Sequence, residues 1–372
     1  MRILLIGNPY SIFIVQLIQN LKNIDSSLQI DVLELGESQK TFESSADQII
    51  SLVRKKSNNN LIDFFFKIFY FFYKKIQLKK IPTYDVVNIH SYSKGINRYW
   101  HEIKKIAPFR IITFWGSDFY RVSTHTKELY RDALKETTYI TFTNIGMKKD
   151  VYQYYQDFQD KMRVCSFGLE TLEWIKKTSA ADVDIFKKKF NMPEKIIITC
   201  GYASSHSQRH LIIIDQVCKL DVSILEKCFF IFPMGYGDMA YKQTVEQKLK
   251  KTSLNYLVLS DFFSPSEIAK LRLSSNIMIN ILETDQFSGS MQEALFANNI
   301  VVSGTWLPYE ILYQEGIVMQ TISEPSELRD KLQYIISNLP KLQVNLSQNQ
   351  AAIWKFSSWE HNAPKWLSLY KE

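Results

Sequence analysis

Residues 183–202 read VDIFKKKFNMPEKIIITCGY: a helical stretch, a proline-bearing turn, then the apolar run Ile196–Cys200, which stops on a glycine. A short, wholly apolar run between turn signals describes a strand covered on both faces, as in a parallel sheet. The run decides the fold because it repeats a beginning. The chain opens in the same way, with RILLI at 2–6, the break Gly7-Asn8-Pro9 and the helical stretch IFIVQLIQNLKN. Between the two openings lie further buried-type strands at Leu28–Leu35, Tyr84–His90, Phe109–Phe114 and Tyr139–Thr143. After the second opening come CFFIFPM, NYLVLS, NIMINI and VVSG, with helical stretches between them. Strands alternating with helices imply a parallel sheet flanked by helices. Two such series predict an α/β chain of two Rossmann-like domains, joined around 168–182. The expected division is 1–170, 171–352 and a last helix over 353–372 that packs back on the first domain.

The bulk numbers agree with that layout and remove several function classes. A chain of 372 residues suits two domains. With 46% hydrophobic and 22% charged residues, it is not a disordered chain. The net charge of +7 fits an anionic partner, whether phosphate-bearing substrate, membrane surface or nucleic acid. Cys165, Cys200, Cys218 and Cys228 form no CxxC pair and no metal-type spacing with histidine, so reduced thiols and a cytoplasmic setting are expected. The start MRILLIGNPY has too short an apolar run for a signal peptide. No stretch reaches the roughly 18–20 apolar residues of a spanning helix. No GxGxxG follows the first strand, which disfavours a Rossmann dehydrogenase.

One segment stands apart. Leu61–Lys80 reads LIDFFFKIFYFFYKKIQLKK, with eight Phe or Tyr from Phe64 to Tyr73 and five lysines from Lys67 to Lys80. A buried helix with a solvated basic end accounts for the aromatics. An interfacial helix accounts for both aromatics and lysines, the rings entering the headgroup boundary and the lysines meeting anionic lipid. Both readings stand, with peripheral membrane contact through 61–80 as one expectation. A nucleic-acid reader is not expected, since the lysines form no recognisable motif.

The residues with chemical potential lie where strands end. NILETDQFSGSMQEAL, 280–295, takes a buried strand through a small-residue loop into a helix. Ser288, Gly289 and Ser290 would present backbone N–H groups at that helix start, a ready site for phosphate oxygens. Glu293 sits one turn inside, placed to accept from ribose hydroxyls, and Asp285 stands eight positions earlier at the loop entrance. In ITCGYASSHSQRHLIIIDQV, 198–217, a strand ends at Gly201, followed by Tyr202, a Ser-rich loop and Arg209-His210. Arginine's planar fork pairs well with phosphate, while His210 could equally be a core or capping residue. In VVNIHSYS and TFWGSDFYR, His90 and Asp118 fall at the carboxyl ends of strands, where open parallel sheets hold ligands. Either could act as general base or orient an acceptor; for Asp118 an N-cap, and for His90 a structural role, fits as well.

Asp285, Phe287 and Glu293 resemble the acidic-x7-acidic motif of GT-B glycosyltransferases, with Asp where the family usually has Glu. The Gly201 loop, the FPMGYGDMAY stretch containing Tyr236, and TFWGSDFYR are similar to the fucosamine-transferase-like branch. GTWLPYEIL, 304–312, resembles runs in polysaccharide-assembly transferases. The Gly-Arg and Lys that many such enzymes carry after their first C-domain strand are not matched.

The resemblance implies a GT-B fold, its two domains facing each other across a cleft. It implies a glycosyltransferase acting on a cell-envelope glycan or lipid-linked acceptor of a bacterial cell, more in keeping with retention than inversion. The donor would be a UDP-, GDP- or TDP-sugar. Asp118, His90 and Asp285 are then the catalytic candidates. Glu293, Ser288, Gly289, Ser290, Gly201, Tyr202, Arg209, His210 and Tyr236 are the donor-binding candidates. No metal and no further cofactor is expected, and the chain would work in the cytoplasm or on the inner face of the membrane. The competing readings are a non-catalytic scaffold on the same fold and a nucleotide-sugar epimerase.

Overall fold

Seven parallel strands build one sheet and six build another. They are seen in a computed structural model that describes residues 1–38, 40–53, 60–285 and 287–372, with backbone only at 60–67 and 345. The first sheet comprises β1 (Arg2–Ile6), β2 (Gln29–Glu34), β3 (Ile49–Ser51), β4 (Val86–His90), β5 (Phe109–Phe114), β6 (Tyr139–Phe142) and β7 (Met162–Val164), in the order 3-2-1-4-5-6-7. The second comprises β8 (Ile196–Cys200), β9 (Cys228–Pro233), β10 (Tyr256–Leu259), β11 (Ile277–Asn280), β12 (Ile300–Gly304) and β13 (Gln320–Ile322), in the order 10-9-8-11-12-13. Both orders reverse direction beside their first strand, at β1/β4 and at β8/β11. At such a switch point the adjoining loops part and leave room for a ligand at the carboxyl ends of the strands.

The chain divides into two units, Met1–Gly168 with Trp359–Glu372, and Leu169–Ser358. Instead of one helix over 353–372 there are two, Ser347–Ser357 and Trp359–Lys371. The extended backbone of Ser358 (φ −79°, ψ 148°) separates them. The last helix packs on the first unit, where Trp359, Trp366, Leu369 and Tyr370 join Ile14, Leu17, Ile18 and the inner residues of β1. Trp366 is wholly buried, and its indole N–H donates to the Ser166 carbonyl at 2.9 Å. Burying a large aromatic side chain removes about 200 Å² from water, so this helix contributes substantially to the unit's core. Gly168 makes that packing feasible, since a Cβ there would stand 2.3 Å from the Trp359 ring.

Three strands that sequence patterning does not show are β3, β7 and β13, each three residues long and at a sheet edge. Among the described residues, no helix is long and apolar enough to cross a membrane. Of the aromatic segment, Phe64–Phe66 and Lys67 lie outside the described side chains. Beyond them, Ile68, Phe69, Phe72, Tyr73 and Ile76 are exposed on one face of the helix Asn60–Leu78, and Phe71 packs against the core.

Candidate active site

The loops leaving β8 and β11 build one site in the second unit. After β8 the chain turns at Gly201, whose φ of +66° favours glycine. A Cβ at that position would come within 2.7 Å of the His210 ring and 2.8 Å of the Gln208 amide oxygen. His210 has no exposed surface and packs beside Phe232 and Tyr241, and burial lowers its pKa to about 4. The expected phosphate contact from His210 therefore finds no exposed surface in this structure. Its neighbour points elsewhere. Arg209 adopts a left-handed conformation (φ +56°) and lays its guanidinium over the Trp306 ring, 5.1 Å from the centroid. Trp306 is itself anchored by an indole N–H donated to the Leu282 carbonyl at 2.7 Å. Among the described residues, Arg209 has no carboxylate partner.

The β8 and β11 loops are tied together by the Glu283 N–H donating to the Ser207 carbonyl at 2.9 Å. Asp285 accepts from the Ser288 N–H at 2.9 Å and from the Tyr309 hydroxyl in a short hydrogen bond. It therefore shapes the loop ahead of the helix Gly289–Phe296, a role that Asp fills well before a helix start. Ser288 is the N-cap, its side chain accepting from the Met291 N–H, and the free N–H groups of the first turn begin at Gly289. Glu293 is one turn further on and is buried. Its carboxylate accepts from Arg272 Nε at 3.3 Å and Nη2 at 3.1 Å. Burial raises the Glu293 pKa and the Arg272 charge opposes the rise. Arg272 Nη1 has no partner among the described residues. Tyr202 is partly buried, and burial, with the nearby Asp285 carboxylate adding, pushes its pKa up to about 12. Tyr236 follows β9, half exposed, edge-on to Phe262 with centroids 5.8 Å apart.

In the first unit, His90 ends β4 and is 2% exposed, among the rings of Trp115, Phe167 and Trp366. Trp115 Nε1–H donates to its Nδ1 at 3.4 Å. An indole nitrogen can only donate, so Nδ1 accepts and the proton sits on Nε2, which has no partner among the described residues. Burial lowers the His90 pKa to about 3. His90 is thus a neutral hydrogen-bond donor at physiological pH, and not a strong base.

Asp118 is 6% exposed and accepts from the Trp115 N–H at 3.0 Å and the Gly116 N–H at 2.8 Å. Burial raises its pKa to about 6 while those bonds pull it down. It faces a cavity of about 430 Å³ after β4 and β5, lined also by Ser91, Lys94, Arg121, Thr126 and Tyr130. The structure thus groups Gly201, Tyr202, Arg209, Asp285, Ser288–Ser290 and Glu293 at the carboxyl end of the second sheet, and puts Asp118 in a cavity of the first. His90 does not line that cavity. Sequence reasoning missed Arg272, Lys94 and Arg121. Arg272 leaves a trace as a charged residue in an otherwise apolar helix, KLRLS, just before a strand.

Residues 2–144 match the glycosyl transferase 4-like family. A comparison with curated proteins gives no match. Among solved structures, a glycosyltransferase from Rickettsia africae aligns with TM-score 0.73 at 14% identity, over 100% of this chain and 97% of that one. HepE of Anabaena in complex with UDP aligns with TM-score 0.73 at 12% identity, over the whole of both chains. Sucrose-phosphate synthase from Thermosynechococcus elongatus aligns with TM-score 0.71 at 13% identity, over 100% and 98%. At such identities the likeness establishes the fold: two Rossmann-like units of GT-B type.

Proposed function

We propose, from the premise that this is a GT-B-fold, glycosyl transferase 4-like chain, that it moves a hexose from a nucleotide donor held by the second unit to an acceptor held by the first. The observation that carries the reading is the joint position of the Ser288–Ser290 helix start and Arg209, both at the β8/β11 switch point. The helix start offers N–H donors to a diphosphate, and Arg209 supplies a cation with no carboxylate partner among the described residues. The leaving nucleoside diphosphate would gain negative charge there as the glycosidic bond breaks, and fixed donors stabilise that charge without reorganising. UDP is the favoured nucleotide, because HepE, of like fold, is described in complex with UDP and with UDP-glucose.

Within this reading Glu293, held by Arg272, turns toward a ribose hydroxyl, and Tyr236 with Phe262 offers an aromatic surface to the base. Asp285 and Tyr309 shape the loop beside the sugar. In the first unit Asp118 takes the acceptor proton, its raised pKa suiting a base that works near neutrality. His90 donates from Nε2 to a sugar oxygen. The acidic-x7-acidic resemblance supports retention of anomeric configuration.

The acceptor is a cell-envelope glycan or a lipid-linked precursor, and the protein works at the cytoplasmic face of a membrane. The exposed face of Ile68, Phe69, Phe72, Tyr73 and Ile76, with Lys79 and Lys80 exposed just beyond it, supports that placement. Such a face matches the chemistry of an anionic bilayer surface.

The test is product analysis. Incubation with UDP-hexose and acceptor should release UDP and give one new glycosidic linkage, its anomeric configuration read by NMR coupling constants. Absence of both products across UDP-, GDP- and TDP-hexoses, with nucleotide bound, would favour a binding or scaffold protein on this fold.

A further inference from the structure

We propose that the cavity after β4 and β5 binds a phosphate-bearing, hydroxylated acceptor, with Lys94 and Arg121 as its anion contacts; this rests on assigning the acceptor to the first unit. The cavity holds about 430 Å³, within the roughly 300–1,000 Å³ of small-molecule sites. Its walls are unusual for such a site. Ser91, Ser93, Ser117, Ser123 and Thr126 supply hydroxyls, whereas Val122 is the aliphatic member. A wall of hydroxyls matches a sugar ring, each of whose hydroxyls needs both a donor and an acceptor.

Charge sets the class of ligand. Lys94 and Arg121 both line the cavity and are exposed, and neither has a carboxylate partner among the described residues. The one carboxylate in the lining, Asp118, turns its oxygens to the backbone N–H groups of Trp115 and Gly116. It therefore does not neutralise the two cations. A neutral acceptor would leave both cations unused, while a phosphate would meet an ammonium and a planar guanidinium fork together.

A second observation, independent of charge, points to a ligand. Tyr130 is 1% exposed and lines the cavity. Its hydroxyl lies near the Lys94 backbone N–H yet makes no hydrogen bond of ordinary geometry among the described residues. Buried hydroxyls are normally satisfied, and an O–H opening onto a cavity without an acceptor is completed by a ligand oxygen. With Asp118 inside and the cations at the rim, the acceptor's reacting hydroxyl faces the carboxylate and its phosphate faces Lys94 and Arg121.

The phosphate could belong to a soluble sugar phosphate or to the head of a polyprenyl-phosphate sugar, and the experiment separates the two. The intact protein is titrated calorimetrically with a hexose monophosphate, with the same hexose unphosphorylated, and with phosphatidylcholine vesicles carrying a polyprenyl-phosphate hexose. Binding of at least one phosphorylated ligand, well above the plain hexose, is expected. Lys94→Ala and Arg121→Ala should each weaken it about tenfold or more, the loss of one charge-assisted hydrogen bond. Tyr130→Phe should weaken the phosphorylated ligand and the plain hexose alike. UDP titrated into the same samples should bind all variants as it binds the wild type. Equal affinity for phosphorylated and plain hexose, no binding in either phosphorylated arm, or indifference to both cation substitutions would overturn the inference. Failure of UDP to bind the wild type would instead count against the donor assignment, leaving the cavity result readable by itself.

Discussion

Arg272 and Glu293 form a buried ion pair in the second unit, Nη2 to Oε2 at 3.1 Å, with side chains 3% and 9% exposed. The two residues lie 21 positions apart and come from different helices, Pro265–Ser274 and Gly289–Phe296. A carboxylate buried one turn inside the loop-bearing helix is tolerable only while the guanidinium stays beside it. Arg272→Ala should therefore destabilise the protein by about 3–5 kcal/mol, the usual cost of stranding one partner of a buried pair. Chemical denaturation measures this directly. The double variant Arg272→Leu/Glu293→Leu should recover most of the loss, because removing both charges strands neither.

The two buried histidines set a pH dependence. His90 sits near 3 and His210 near 4, against an ordinary 6.5. Below 6.5 the unfolded chain takes up protons that the folded chain refuses. Stability is then fully present above about pH 6.5 and falls as pH drops from 6.5 toward 4, by up to about 1.4 kcal/mol per pH unit for each histidine. Asp118 acts in the opposite sense between about 4 and 6, since its folded pKa is raised. The comparison of wild type with His210→Leu isolates one histidine: the variant should lose stability less steeply on acidification.

His90 as a neutral donor makes a kinetic prediction. His90→Ala should lower kcat about a hundredfold, the loss of one preorganised donor. His90→Gln, whose amide can donate, should recover part of it. The pH–rate profile should show an acid limb near 6 from Asp118 and none that disappears with His90. An acid limb that vanishes in His90→Gln would assign His90 the role of base.

The exposed face of the helix Asn60–Leu78 predicts vesicle binding that depends on lipid charge. Phe69→Ser with Phe72→Ser should reduce sedimentation with anionic vesicles at least about tenfold and leave the melting temperature nearly unchanged, because both rings are exposed. Binding equal to wild type would return this helix to an ordinary surface element.

The long central strands were legible because they are covered on both faces and so read as unbroken apolar runs; Phe109–Phe114 and Ile196–Cys200 coincide with β5 and β8. The edge strands β3, β7 and β13 are too short to carry a period. The Asp285 loop and the helix after it were legible from small residues at a strand end. What patterning could not give is burial and partnership. Arg209 and His210 are neighbours in sequence, yet one lies over Trp306 and the other is enclosed beside Phe232. The Arg272–Glu293 pair is invisible for the same reason: nothing local in either helix names the other. The last helix was visible, but its break at Ser358 depends on a single extended residue.

The most direct test of the central claim is calorimetric titration of UDP into the intact protein and into Arg209→Ala. The account predicts saturable binding at one site in the wild type, weakened about tenfold or more in the variant as one cation leaves the diphosphate. No binding at millimolar UDP, or equal affinity in the two proteins, would contradict a donor site built on Arg209 and the Ser288–Ser290 helix start.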